Sequence, residues 1–188
     1  MNKYILPSIK LTAVFTVILG VLYPLFISFA AKLSKGEGSG EKVILNGKVV
    51  GYKLIGQSFT EPQYFWGRPS AVGYNAAGSA GSNKGPTNAD YLKEVSNRVD
   101  SLLKYHPGLQ KSDIPADMVT ASGSGLDPNI SVKGAELQAK RIAAYRQLPL
   151  SKILKLVETH TDKPLLGLFG PQKVNVLVLN VALDEIDR

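Results

Sequence analysis

Hydrophobic and polar positions follow two different regimes along the chain. From Leu11 to Ala31 (LTAVFTVILGVLYPLFISFAA) only Thr12, Thr16, Tyr23 and Ser28 interrupt an apolar run, and no Asp, Glu, Lys or Arg occurs between Lys10 and Lys32. Those 21 residues make a helix about 31 Å long at ~1.5 Å per residue, which matches the hydrocarbon thickness of a bilayer. The run predicts one membrane-spanning helix over 11–31 behind an N-terminal tail over 1–10. Pro24 should kink its lower third, and the hydroxyls can bond back to the helix backbone. Ser28-Phe29-Ala30 resembles a small-x-small cleavage site, so a cleaved signal peptide is the rival reading. The apolar run exceeds the usual core of such a peptide, about 7–15 residues.

After the span, Leu33–Lys42 (LSKGEGSGEK) mixes glycine with alternating charge and reads as a flexible linker over 32–42. A soluble domain over 43–188 follows. Two short apolar runs around Asn46-Gly47 predict a β-hairpin, because both central residues of a type I′ turn need positive φ. Phe59–Ala80 alternates Tyr64, Phe65, Trp66 and Tyr74 with Gly and Pro, and reads as a long ordered loop. Tyr91, Leu92, Val95, Val99, Leu102 and Leu103 recur at helical steps, predicting a helix from Thr87-Asn88 to Tyr105 that Thr87 can cap and Pro107-Gly108 stops. A second helix is expected over Ser131–Leu148, with Ala135, Ala139, Ile142 and Ala143 on one face, and a third over Ser151–Thr159. Val174–Leu183 (VNVLVLNVAL) is apolar on both alternating faces, and reads as a strand buried in the middle of a sheet. The expected fold class is an α/β or α+β soluble domain with a central buried strand, anchored by one N-terminal transmembrane helix.

Composition sharpens this division. The 188 residues carry 22 Lys+Arg against 15 Asp+Glu, a mean hydropathy of +0.01 and no cysteine. Only Lys3 and Lys10 fall within residues 1–31, which leaves a domain with 20 basic and 15 acidic residues, +5. Lacking cysteine, the chain can hold no disulfide scaffold, zinc ribbon or cysteine nucleophile. The scattered basic charge, with no basic run or recognition motif, argues against nucleic acid as a partner.

Candidate chemistry is sparse. His106 and His160 each end a helix, where a histidine usually serves the terminal carbonyls, and neither has neighbours at metal-ligand spacing. Asp184, Glu185 and Asp187 read as a solvated acidic tail. Two Gly/Ser-rich segments are more suggestive. Gly78–Asn88 runs into a helix, but Lys84 precedes Gly85 and Pro86 removes an amide, unlike a phosphate-cradling P-loop. Ala121-Ser122-Gly123-Ser124-Gly125-Leu126-Asp127-Pro128 follows the strand-like Met118-Val119-Thr120, and such turns can offer successive amides to an anion. By composition alone both remain structural turns or ligand loops.

Several motifs in order carry a family resemblance: Gln57-Ser58-Phe59 with Tyr64–Ser70, Gly81-Ser82-Asn83-Lys84-Gly85-Pro86-Thr87-Asn88, Val119–Pro128 and Val174–Asn180. Over nearly its whole length the chain resembles the C-subunit family of the Kdp-type potassium-transporting P-type ATPase. It departs from that pattern at Asn129, where histidine is usual, and at Lys84, where leucine is usual.

The resemblance implies a non-catalytic accessory subunit, with no enzyme activity or cofactor of its own. Its implied partners are a K⁺-binding channel-like subunit, a P-type subunit that hydrolyses ATP, and the lipid bilayer. It further implies a catalytic chaperone that raises the ATP affinity of the hydrolysing subunit. ATP would then be reached through the complex, contacting Ser122, Gly123, Ser124, Gly125 and Gln138. In agreement, the chain has neither an Asp-Lys-Thr-Gly-Thr phosphorylation motif nor a filter-like pore loop. A stand-alone, membrane-anchored extracytoplasmic binding module is the alternative.

Lys3, Lys10 and the amino terminus favour a cytoplasmic N-terminus, although Lys32, Lys35 and Lys42 lie close on the other side. Long C-terminal domains translocate largely regardless of charge. The expectation is a single-pass protein of the cell (inner) membrane with an extracytoplasmic domain.

Overall fold

The computed structural model describes residues 2–186. Its first unit, ending at Lys42, is dominated by one helical run: α1 (Asn2–Val17), a π-helical turn (Ile18–Leu22) and α2 (Tyr23–Ala31). Lys3–Ala31 is long and apolar enough to cross a membrane. The helix therefore begins at Asn2 rather than Leu11, and residues 2–10 are not a separate tail. No glycine interrupts that stretch, and the Ser8 hydroxyl donates to the Tyr4 carbonyl at 2.7 Å beside Pro7.

Thr16 returns its hydroxyl to the Thr12 carbonyl in the same way, at 2.8 Å. Ahead of Pro24 the helix widens, so that the Tyr23 N–H reaches the Ile18 carbonyl five residues back. Proline and π-bulges are both sites where a long helix departs from regular geometry. Successive hydrogen-bonded turns follow over residues 32–39, with Gly38 and Gly40 at positive φ.

The second unit begins at Val43. Strands β1 (Lys42–Leu45) and β2 (Lys48–Tyr52) form the expected hairpin, with Asn46 at φ 54° and Gly47 at φ 75°. A long irregular stretch then leads to α3 (Ala89–Tyr105). Its cap is Asn88 rather than Thr87: the Asn88 side chain accepts the Tyr91 N–H at 2.9 Å.

Met118-Val119-Thr120 is not a strand. A 3-10 turn over Ala116–Met118 occupies that place, and its Asp117 carboxylate accepts both the N–H and the hydroxyl of Ser131. Ser131 in turn caps α4 (Val132–Arg146) by accepting the Gly134 N–H at 3.0 Å. Helix α4 closes on Gln147 in the left-handed region, and α5 (Leu150–Thr159) follows Pro149.

The main departure from expectation is the C-terminal apolar run. Only β5 (Lys173–Asn175) is strand, and Val176–Ile186 is a helix, α6. An unbroken apolar run cannot by itself separate a doubly covered strand from a buried helix. The start of α6 lies in Asn175, whose side-chain oxygen accepts the Val178 N–H at 3.0 Å, as a helix N-cap does. Val176, Leu179, Asn180 and Leu183 then fall on one buried face at helical spacing.

Strand β5 lies between β3 (Asn129–Ile130) and β4 (Thr161–Asp162), antiparallel to both. The class is therefore mixed, a small antiparallel sheet with helices, and no long central strand is present among the described residues. Phe65, Ile130, Ala135, Ala139, Ile142, Ile153, Val157, Val174, Leu179 and Leu183 form the buried core.

Gly56 marks a close backbone approach: its N–H donates to the Leu126 carbonyl at 2.8 Å, and an added Cβ would lie 2.5 Å from the Asp127 carbonyl oxygen. Gly56→Ala should destabilise the domain by about 1–3 kcal/mol, the usual range for overpacking. Urea denaturation of the full chain in detergent checks it.

Candidate functional site

The glycine and serine segments singled out in the sequence converge in space. Ser122 is buried: its N–H donates to the Pro69 carbonyl at 3.3 Å and its hydroxyl accepts the Gly125 N–H at 2.9 Å. Ser70 donates to the Gly125 carbonyl at 2.6 Å, and Ser79, from the other segment, donates to the Ser124 carbonyl at 3.0 Å. Gly125 is at φ +67°, and a Cβ there would meet the Val72 side chain at 2.6 Å and the Ala80 carbonyl oxygen at 2.8 Å. Its glycine is thus required by both backbone conformation and space.

Gly123 and Ser124 differ from their neighbours. Both face solvent, and their amides make no hydrogen bond among the described residues. Arg68 ties the base of the turn to Asp127 at 3.1 Å.

Gln138 lies elsewhere, and no hydrogen bond joins it to the 122–125 turn among the described residues. It is fully buried on α4. Its side-chain oxygen accepts the Trp66 N–H at 2.7 Å and an Arg141 N–H at 2.7 Å, while its NH₂ donates to the carbonyls of Trp66 at 3.1 Å and Gly134 at 3.2 Å. These bonds occupy the two acceptor and two donor positions of the carboxamide.

Asn180 on α6 does the same one residue earlier, accepting the Phe65 N–H at 2.8 Å and donating to the Phe65 carbonyl at 3.0 Å. In extended chain the N–H and C=O of one residue point to one side and those of the next to the other. Two carboxamides from two helices therefore hold consecutive residues of a segment that belongs to no sheet.

Two arginines complete the clamp. Arg141 donates to the carbonyls of Pro62 and Tyr64, and its guanidinium carbon lies 3.9 Å from the Trp66 ring centroid. Arg146 donates to the Gln63 carbonyl at 3.1 Å and pairs with Asp184 at 2.7 Å, a carboxylate that also accepts the Tyr64 hydroxyl at 3.1 Å. The acidic cluster is thus not simply a solvated tail: Asp184 is a structural anchor, and Asp187 lies outside the described residues.

No carboxylate pairs with Arg141 among the described residues. Burial lowers its pKa to about 10, so it stays charged at neutral pH. Its Nε–H donates to His106 Nε2 at 3.0 Å, and His106 Nδ1 lies 2.7 Å from the Leu102 carbonyl. That pair of partners fixes the neutral tautomer with its proton on Nδ1. Both residues border an open cleft of about 600 Å³, which Tyr105, Leu137, Lys140 and Tyr145 also line.

Burial, and secondarily the Arg141 charge, hold the His106 pKa below its ordinary 6.5 against the opposing pull of the Leu102 carbonyl. A histidine with a depressed folded pKa takes its proton more readily when unfolded. Its stabilising contribution is full above the unfolded pKa and is lost as pH falls below about 6.5. The melting temperature should therefore fall between about pH 7 and about pH 5, and His106→Gln should flatten part of that slope. Thermal unfolding of both proteins across this range provides the measurement.

Removing a carboxamide leaves buried backbone groups unpaired, so Gln138→Ala and Asn180→Ala should each cost about 1–3 kcal/mol. Equilibrium unfolding of the two variants reads this directly.

Sequence reasoning singled out Gln138 but missed Asn180, Arg141 and Arg146 as partners of the aromatic loop. The available signal was polarity at apolar positions: Gln138 and Arg141 share a helix face with Ala135 and Ile142, and Asn180 interrupts VLVLNVAL.

Comparison with known proteins adds the family. The model described as "KdpC: K+-transporting ATPase, c chain" matches residues 5–185. A "Potassium-transporting ATPase KdpC subunit" of Flavobacterium johnsoniae is 58% identical over 184 residues, covering 98% of this chain and 99% of the relative. The proteins of the same name from Bacteroides fragilis and Polaromonas naphthalenivorans are 52% and 47% identical, covering 98% and 99% of this chain and 98% and 96% of their own lengths. The chain belongs to the KdpC family, the c chain of the K⁺-transporting ATPase, a subunit of that complex and not itself its catalytic one.

Proposed function

We propose that this protein is an accessory subunit that stabilises a potassium-uptake complex. The Lys3–Ala31 helix anchors it in the cell membrane beside a K⁺-binding channel-like subunit and an ATP-hydrolysing P-type subunit. The N-terminus is cytoplasmic and the domain beginning at Val43 is extracytoplasmic, where it caps the channel-like subunit. One observation carries this reading: Gln138, the side chain that the sequence singled out, and the polar side chains packed around it are committed to the domain's own backbone. Gln138, Asn180, Arg141 and Arg146 all hold residues 62–66. A domain built this way presents a rigid surface to partners rather than a reactive constellation.

Two measurements test it. The chain should co-purify with both larger subunits at high salt, and its loss should lower the yield of intact complex. Because the sequence has no cysteine, Ser39→Cys offers a single topological probe. An impermeant thiol reagent should label it in intact cells, whereas labelling only after lysis defeats the extracytoplasmic reading.

A second reading is favoured by Gly123 and Ser124, exposed residues whose amides make no hydrogen bond among the described residues. Here the 122–125 turn contacts nucleotide and raises the ATP affinity of the hydrolysing subunit, which requires the domain to be cytoplasmic. Gln138 could join such a contact only by giving up its bonds to Trp66, so Ser124 is the discriminating position. Under this reading Ser124→Tyr raises the KM for ATP of the assembled complex without lowering the melting temperature. An unchanged KM removes it.

A further inference from the structure

The hairpin loop between β4 and β5 is the most exposed apolar feature of the second unit. Leu165, Leu166, Leu168 and Phe169 are 70%, 81%, 82% and 63% exposed within five consecutive positions. Exposed apolar residues scattered singly need no explanation, but a contiguous group of this kind marks an interaction surface. We infer that this loop dips into the interfacial region of the same phospholipid bilayer that the N-terminal helix spans, as a second point of membrane attachment.

The loop has the chemistry that a lipid surface selects. Residues 164–172 (PLLGLFGPQ) carry no charge, while exposed Lys163 and Lys173 flank them at the base of the hairpin, where they outnumber the one carboxylate, Asp162, which lies opposite Lys173. Apolar side chains at a tip with basic residues behind them suit acyl chains below anionic headgroups.

Backbone bonding agrees with this. Leu165 N–H donates to the Phe169 carbonyl at 2.9 Å, Phe169 N–H returns to the Leu165 carbonyl at 3.0 Å, and Gly167 N–H donates to the Pro164 carbonyl at 2.9 Å. Pairing these N–H groups within the tip lowers the penalty of taking that part of its backbone out of water. Leu166 lies at φ +54°, a conformation unfavourable for an L-residue, and Gly167 at φ +73°. Together they turn four large side chains outward when a solvated loop would carry polar ones.

Four side chains on one narrow tip are also few for a protein interface, which typically buries about 800 Å² per partner. The tether then supplies proximity. Residues 32–42 span at most about 40 Å when fully extended, so insertion is an intramolecular event at high effective concentration. For that proximity alone, the inference rests on the proposed anchor.

The test uses the full chain in phosphatidylcholine vesicles containing phosphatidylglycerol. Leu168→Cys, labelled with an environment-sensitive fluorophore, should show blue-shifted emission and quenching by shallow nitroxide lipids. The same label at exposed Ser112→Cys should show neither. Adding Lys163→Glu and Lys173→Glu should reduce the shift at position 168, most strongly at low salt. A label at 168 as solvent-exposed as that at 112 overturns the inference. So does a shift that appears only when the larger subunits are reconstituted alongside, because it assigns the loop to a protein interface. Retention of the chain after alkaline carbonate washing reads the anchor separately, so failure of the anchor and failure of the loop give different results.

Discussion

Where irregular backbone enters a core its peptide groups must be paired, and the second unit is organised around meeting that demand at the half-buried residues 62–66. Phe65 is fully buried, yet its segment joins no sheet that could supply hydrogen bonds. Carboxamides and guanidiniums supply them instead, from α4 on one side and α6 on the other. Leaving such groups unpaired costs more than each finished bond gains. The positions of the two helices are therefore tied to a loop that looks, in sequence, like a connector.

The clamp also settles the state of its neighbours. Arg141 can be buried with no carboxylate partner among the described residues because carbonyl oxygens, the Gln138 oxygen and the Trp66 ring share its charge. His106 accepts from the same guanidinium, so its neutral form belongs to the fold rather than to a reaction. The arrangement extends to the C-terminal helix through Asp184, which joins Arg146 to the Tyr64 hydroxyl. Polarity inside the domain is thus a network holding one segment, in keeping with a subunit whose family assigns the catalytic work elsewhere in the complex.

The Gly/Ser-rich segments illustrate a different division. Ser122 and Gly125 are consumed by packing against residues 69–72 and Ala80, and the φ of Gly125 admits no other residue without strain. Gly123 and Ser124 remain at the surface of the same turn. One motif thus contains both structural necessity and available surface, and composition alone cannot separate the two.

Much of this protein was legible in its sequence because the signals are local. An uncharged apolar run of this length favours one continuous helix, Asn46-Gly47 has one favoured turn, and the periodicities of α3, α4 and α5 need no partner to be recognised. What the tertiary structure decided is where a signal depends on what lies across the core. VLVLNVAL became a helix because Asn175 caps it and its Asn180 side had to meet the Phe65 backbone, a contact 115 residues away in sequence. Gln138 became a clamp, Asp184 an anchor and Met118 part of a turn for the same reason. A side chain's hydrogen-bonding capacity is written in the sequence, whereas the backbone group that uses it is chosen only when the chain is folded.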